Sequence, residues 1–265
     1  MFTFNYQYDD GHGPVVVLLH GFMGCLENWA DLRQQLRPQW RTMAIDLPGH
    51  GGTPIANFGA PDAFERLPAA LEDLLDGLSL DSVHLVGYSM GGRLALALAL
   101  RAPERFASLV LEGVSPGLET DDDCVARQAD ERAWAEALVT DRNRFLDEWQ
   151  AQPLFDRQRE RNPEGYAAAM RLRLQGDHAG WAGALMGYGL GRQPNLWPQL
   201  ANLNLPVLLI TGQEDTKFTL TARRMAALLP NASHKVVAQA AHTPHLEQPV
   251  AFNRIVAEFL DTIVL

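Results

Sequence analysis

Val83-His84-Leu85-Val86-Gly87-Tyr88-Ser89-Met90-Gly91-Gly92-Arg93 is the stretch from which the fold can be read. Its apolar start, rich in valine and leucine, reads as a buried strand, and Leu94-Ala95-Leu96-Ala97-Leu98-Ala99-Leu100 after it reads as a helix. Ser89 therefore falls on the turn between them. In a G-x-S-x-G turn the glycines are a steric requirement. Gly87 and Gly91 leave room for the strand to reverse into the helix so tightly that the serine takes a strained conformation, its hydroxyl clear of the sheet. The backbone N–H of Met90, at the positive end of the new helix, then faces any oxygen that gains charge in a reaction. The competing reading is a tight turn that happens to hold a serine; the strand-turn-helix context favours the first.

The chain has 265 residues and is 47% apolar, enough to bury a sizeable core as one domain or as a core with an insertion. A formal charge of -10 argues against general binding to nucleic acid or to an anionic membrane, either of which needs a basic face. Lys217 and Lys235 are the only lysines among 22 basic residues. Arginine, which makes up the rest, suits bidentate recognition of carboxylates, although genome composition produces the same bias. Cys25 and Cys124 are too few for a disulfide framework or a cysteine-based metal site, so a reducing cytoplasm is the expected location. The first eight residues alternate like a strand and lack the features of a signal peptide, and no apolar run approaches the roughly 20 residues of a membrane helix. A small-molecule substrate and a monomeric chain are expected.

Residues 2–8 read as an edge strand, turned by residues 9–14 into the apolar strand Val15–Leu19. His20-Gly21-Phe22-Met23-Gly24 follows directly. A glycine-bearing loop there can turn the N–H of Phe22 toward the place faced by the N–H of Met90, completing an oxyanion hole; the alternative is an ordinary turn into a helix over Glu27–Leu36. Thr42–Ile45 is a third strand, and the glycine- and proline-rich loop Asp46–Gly52 reads as scaffold. Ala63–Leu78 is helical in pattern with a disturbance at Pro68, and Ser108–Glu112 is a further strand. Strands alternating with helices imply an α/β fold, a mainly parallel sheet covered on both faces.

From about residue 115 to 200 the pattern turns helical, with stretches at Ala126–Thr140, Arg142–Gln150, Pro163–Gln175 and Ala179–Leu190 and with Trp134, Trp149, Trp181 and Trp197. We read 115–200 as a helical cap inserted into a core made of 1–114 and 201–265, placed over the sheet edge where open α/β sheets bind ligands. Afterwards a strand at Pro206–Gly212, a helix at Thr219–Leu229, a strand at Ser233–Ala238 and a helix at Val250–Thr262 resume the alternation.

A serine hydroxyl needs a histidine to withdraw its proton, and the histidine needs a carboxylate to fix its tautomer. Asp215 follows one late strand and His242 follows the last, so the order Ser89, Asp215, His242 is that of an α/β-hydrolase triad. His245 rivals His242, and Glu214 and Glu112 rival Asp215. With these residues, Gly87–Arg93, His20–Gly24, Glu112-Gly113 followed by Pro116-Gly117-Leu118, Ala126-Arg127-Gln128 with Trp134, and Gly212–Phe218, the chain resembles the 2-succinyl-6-hydroxy-2,4-cyclohexadiene-1-carboxylate synthases of menaquinone biosynthesis, within the α/β-hydrolase superfamily.

The resemblance implies elimination of pyruvate from 2-succinyl-5-enolpyruvyl-6-hydroxy-3-cyclohexene-1-carboxylate, a substrate with three carboxylates, in a pathway ending in menaquinone or phylloquinone. It implies that Arg93, Arg127 and either Arg171 or Arg173 clamp carboxylates, with Lys217, Tyr88 and Trp149 completing the pocket. It implies Ser89 as a base activated by His242 and Asp215, with charge settling on a substrate carboxylate held by the N–H groups of Phe22 and Met90. No acyl-enzyme, metal or redox cofactor is implied. The rivals are a carboxylester or carbon–carbon hydrolase using Ser89 covalently, and a ligand-binding receptor with a relic triad.

Overall fold

Val15–Leu19 and Val83–Tyr88 are almost wholly apolar because both faces of a central parallel strand are buried, leaving no solvent side on which a polar residue would be favoured. The computed structural model describes residues 2–9, 11–37 and 39–263; Asp10 of the expected turn, and Met1, Val264 and Leu265 at the ends of the expected core, lie outside them. The strands are β1 (Tyr6–Tyr8), β2 (Val15–Leu19), β3 (Arg41–Ile45), β4 (Val83–Tyr88), β5 (Phe106–Glu112), β6 (Val207–Gly212) and β7 (Ala232–Val237). They form one seven-stranded sheet in the order β1-β3-β2-β4-β5-β6-β7. Only β1, at one edge, runs antiparallel, pairing Tyr6 with Ile45.

The helices are α1 (Ala30–Leu36), α2 (Ala63–Gly77), α3 (Ser89–Arg101), α4 (Asp121–Thr140), α5 (Arg142–Gln150), α6 (Gln158–Arg161), α7 (Pro163–Gln175), α8 (His178–Tyr188), α9 (Thr216–Leu228), α10 (Pro244–Glu247) and α11 (Pro249–Asp261). The period of two along a strand divides the core. Val15, Val17 and Leu19 pack with Leu67 and Leu71 of α2, Leu94 of α3 and Met225 of α9. Val16 and Leu18 pack on the other face with Leu32 of α1 and Phe252 and Val256 of α11. Because β2 to β7 are parallel, the loops after β2, β4, β5, β6 and β7 open at one edge of the sheet.

Helices α4 to α8 lie between β5 and β6, and seven of their residues, among them Leu138, Phe145 and Trp181, form a third apolar cluster that takes in Met23 of the loop after β2. Several element limits differ from those read in the sequence. The edge strand covers only Tyr6–Tyr8, and Leu26–Trp29 forms a 3₁₀ turn ahead of α1. Helix α4 begins at Asp121 rather than 126, because the Thr120 hydroxyl accepts the Asp123 N–H and three aspartates occupy the positive end of the helix. Pro68 sits inside a continuous α2, whose Leu67, Leu71 and Leu75 are buried. Among the described residues no helix is long and apolar enough to cross a membrane.

Candidate active site

Ser89 is the first residue of α3 and has φ +47°, a left-handed conformation that a non-glycine residue occupies only when its surroundings impose it. A Cβ on Gly87 would stand 2.5 Å from Gly92 Cα, and one on Gly91 2.4 Å from the carbonyl oxygens of Leu19 and His20. Strand and helix are therefore too close for any side chain at either position. Met90, second in α3, has an N–H with no intrahelical acceptor.

The loop after β2 orients the other donor. His20 Nε2 accepts the Leu47 N–H at 3.0 Å, so its proton is on Nδ1, which donates to Gly21 O at 2.8 Å. The Gly24 N–H donates to the same oxygen at 3.0 Å. In a trans peptide the N–H points opposite to the carbonyl, so fixing Gly21 O fixes the direction of the Phe22 N–H. That N–H has no acceptor among the described residues.

Asp215 is the N-cap of α9. Its Oδ1 accepts the Phe218 N–H at 3.0 Å, and its Oδ2 accepts from His242 Nδ1 at 2.7 Å. Both side chains are buried. A carboxylate only accepts, so the shared proton resides on Nδ1, the tautomer that in a neutral ring leaves the lone pair on Nε2. Gly113, at φ +59°, passes beside this ring: a Cβ there would lie 2.8 Å from His242 Cε1. Phe218 covers the imidazole at 4.4 Å between ring centroids.

Ser89 and His242 line one cleft of about 130 Å³ together with Phe22, Met90, Arg93, Arg127, Trp149 and Lys217. A second cleft of about 190 Å³, between α1 and α7, holds neither Ser89 nor His242, so size alone does not locate the chemistry. The rival residues are occupied elsewhere. His245 donates through Nδ1 and its backbone N–H to Glu112 at 2.9 Å, and Glu214 Oε2 lies 2.5 Å from Arg161.

Arg93, four residues beyond Ser89 on α3, is buried and bonds only neutral acceptors, Gln193 Oε1 at 3.1 Å and Tyr188 O at 3.4 Å. Burial lowers its pKa to about 10, which leaves it cationic at neutral pH. Arg127 donates to Glu131 Oε1 at 2.8 Å and lies 4.7 Å from the centre of the Trp134 ring. Trp149 stacks between Phe145 and Phe155 and meets Phe22 edge-on at 5.4 Å. Lys217 is exposed in the first turn of α9, at the mouth of the cleft.

Two expectations change. Arg171 is exposed and absent from the lining of the Ser89 cleft. Two helical positions turn a side chain by about 200°, so Arg173 faces inward instead, donating to Gln150 Oε1 at 2.6 Å. Tyr88 also stands outside that lining. Its ring lies between His242 and His245, at 5.5 and 4.6 Å, and shares with Arg173 a chamber of about 20 Å³ behind Phe22. Burial, then the charge of Glu112, holds the Tyr88 phenol well above its ordinary pKa.

The sequence reading quoted Gly113 and Phe218 only as marks of the resemblance, without a role at the site, and passed over Gln193 and Glu131. Glu131 is buried, accepts from Arg127 and from the N–H groups of Leu190 and Gly191, and so fixes Arg127 to the cap. The i, i+4 spacing of Arg127 and Glu131 was a visible signal for it; Gln193 leaves none without the fold.

Residues 14–249 match the family model described as the alpha/beta hydrolase fold. The chain is 38% identical to a Bacillus subtilis (strain 168) protein to which 2-succinyl-6-hydroxy-2,4-cyclohexadiene-1-carboxylate synthase activity is provisionally ascribed, covering 99% of this chain and all of that one. It is 32% identical to the synthase of that name from Enterobacter sp. (strain 638), covering 93% and 92%. The solved structure of MenH from S. aureus superposes with a TM-score of 0.91 at 31% identity, covering 97% and 98%. The chain belongs to the α/β-hydrolase fold family and, within it, to the 2-succinyl-6-hydroxy-2,4-cyclohexadiene-1-carboxylate synthases.

Proposed function

We propose that this protein is a lyase that eliminates pyruvate from 2-succinyl-5-enolpyruvyl-6-hydroxy-3-cyclohexene-1-carboxylate, with Ser89 as a base activated by His242 and Asp215. The observation that carries the reading is Arg93: a buried guanidinium on the helix that Ser89 opens, whose hydrogen-bond acceptors are all neutral, the Glu131 carboxylate acting on it only through space. Buried charges are ordinarily paired, and an anionic substrate supplies the missing partner. Arg127 and Lys217 on the same walls suit further carboxylates.

In the proposed reaction the Ser89 hydroxyl passes its proton to His242 Nε2 while its oxygen takes the ring proton at C2. That proton is the acidic one because it lies α to the succinyl ketone, so the oxygen that gains charge is the ketone's rather than a carboxylate's. The N–H groups of Phe22 and Met90 are the donors for it. The electron pair returns from that oxygen to form C2=C3 and C4=C5 as the C5–O bond breaks. The departing enolpyruvate oxygen takes up the proton held by His242, and the enol ketonises to pyruvate. General-base action supplies about 10²- to 10⁴-fold, and one oxyanion donor about 10²- to 10³-fold.

The test is to supply the enolpyruvyl substrate and measure released pyruvate. Wild type should turn over, and Ser89→Ala should lose nearly all elimination while staying folded. Turnover of p-nitrophenyl esters far above elimination, with covalent labelling of Ser89, would instead identify a hydrolase; full activity in Ser89→Ala would remove the triad from the reaction.

A further inference from the structure

The loop that carries His242 is held from an unexpected direction. Glu247, on α10, is buried, and its Oε2 accepts the N–H of Ala241 at 2.7 Å and of Thr243 at 3.3 Å, the residues on either side of His242. One carboxylate oxygen thus fixes the backbone on both sides of the imidazole. The other oxygen, Oε1, accepts from Nη1 of Arg161, a cap residue at the end of α6. The second nitrogen of the same guanidinium, Nη2, lies 2.5 Å from Glu214 Oε2, an ion-pair contact without hydrogen-bond direction. Glu214 is the residue before Asp215. Arg161 therefore spans the two turns from which the imidazole and its carboxylate partner project.

The neighbours of Arg161 reinforce the arrangement. Gln158 Nε2 donates to Thr243 Oγ1 at 2.7 Å, and Asn162 Nδ2 donates to Leu246 O at 2.8 Å. Helix α6 and the residue after it are thereby tied to the His242 turn and to α10 by polar contacts. The Arg161 side chain is only 9% exposed and that of Glu247 is wholly enclosed, so the Glu247 charge depends on Arg161 for compensation. Without the guanidinium, the Glu247 carboxylate has to turn toward water or take up a proton. Either change weakens its hold on the two amides beside His242.

We propose that Arg161 is a positioning residue for the reaction: it touches no reacting atom, and it sets the His242–Asp215 geometry from the cap, so that seating of the cap and alignment of the base are one event. The inference rests on the reading of His242 and Asp215 as the catalytic pair. A planar fork is needed because two carboxylates on different turns must be met at once, which the point charge of a lysine does not do.

The experiment compares Arg161→Met, Arg161→Lys and, as a control of equal charge change, Arg159→Met, a neighbouring exposed arginine. Pyruvate release gives kcat and KM, and the far-downfield proton resonance of His242 Nδ1–H reports its bond to Asp215 directly. In Arg161→Met we expect kcat to fall about 10- to 100-fold with KM within about twofold, as for a misplaced base with substrate contacts intact. The His242 resonance should shift or broaden. Arg161→Lys should fall between Met and wild type, and Arg159→Met should match wild type in both readouts. Unchanged kcat and resonance in Arg161→Met, with only thermal stability lowered, would overturn the proposal and leave a structural staple. If the Met variant does not fold, Arg161→Lys decides: a wild-type kcat and resonance there overturn it, and a paired loss supports it. Failure of the underlying reading is distinguishable, because His242→Gln would then retain elimination whatever Arg161 does.

Discussion

Gly113→Ala tests whether the position of His242, and not merely its presence, governs the rate. Gly113 has φ +59°, and a Cβ added there would stand 2.8 Å from His242 Cε1 and 3.1 Å from Nδ1, where ordinary van der Waals contact begins at 3.4 Å. Packed interiors absorb little compression, so the ring must retreat by about 0.6 Å. Two effects separate. The left-handed backbone alone costs an alanine about 1–2 kcal/mol, a fall of about 2–8 °C in Tm for a chain of this size. Displacement of the imidazole acts on the chemical step. Since a misplacement of about 1 Å can cost about 100-fold, we expect kcat to drop between about 10- and 100-fold. KM should move by less than about twofold, because Arg93 and Arg127 lie outside the disturbed contact. Steady-state pyruvate release with matched thermal melts checks both. Gly77→Ala is the control: Gly77 is exposed at the end of α2 with nothing within 4 Å of the new Cβ, so its kcat should be unchanged. A folded Gly113→Ala enzyme with wild-type kcat, or one impaired through KM alone, would refute the reasoning.

Arg93→Met keeps most of the side-chain volume and removes the buried charge. A charge-assisted hydrogen bond contributes about 1.5–3 kcal/mol, so kcat/KM should fall about 10- to 100-fold with KM raised and kcat lowered, and unchanged kinetics would remove Arg93 from the pocket. His84 gives a pH prediction. It is buried on β4, bonded through Nδ1 to Ser108 Oγ at 2.8 Å, and burial pushes its pKa down to about 4. The unfolded chain binds this proton near the ordinary value of 6.5 while the folded chain does not, so its contribution to stability is present above pH 6.5 and lost as pH falls toward 4. At pH 5 the loss is about 2 kcal/mol. The double variant His84→Leu, Ser108→Ala should lose correspondingly less stability between pH 7 and pH 5 in urea titrations; an equal loss in both proteins would sink the assignment.

The parts of the fold legible from sequence were those where one local cause acts alone. Val15–Leu19 and Val83–Tyr88 are buried on both faces and read as strands by composition, and the glycines around Ser89 mark a turn nothing larger can make. The site was less legible where two positions of equal chemistry compete. Arg171 and Arg173 sit among alternating leucines on α7, a helix with water on one side and the core on the other, and only the packed helix shows which arginine faces inward. His242 and His245 are three residues apart, and their carboxylates come from different strands, so their pairings with Asp215 and Glu112 are tertiary facts. Helix α6 was missed altogether, because four residues are too few for a period.

The placement of Arg93 also bears on why a serine triad would serve an elimination. Residues four apart share a helix face, and helical side chains lean toward the N-terminus, so Arg93 projects back toward the end of α3 where Ser89 lies. A neutral ester gains nothing from a desolvated guanidinium at that point. An anion gains a great deal, and the proposed reaction uses that contact to hold the ring for proton removal at one position over attack on a carbonyl carbon. The overall charge of -10 does not oppose this. Charges beyond a Debye length of about 8 Å are largely screened, so the charges that act inside the cleft are those that line it, Arg93, Arg127 and Lys217 against Glu131. Since Glu131 is already satisfied by Arg127 and two backbone N–H groups, the cleft remains cationic inside an acidic protein.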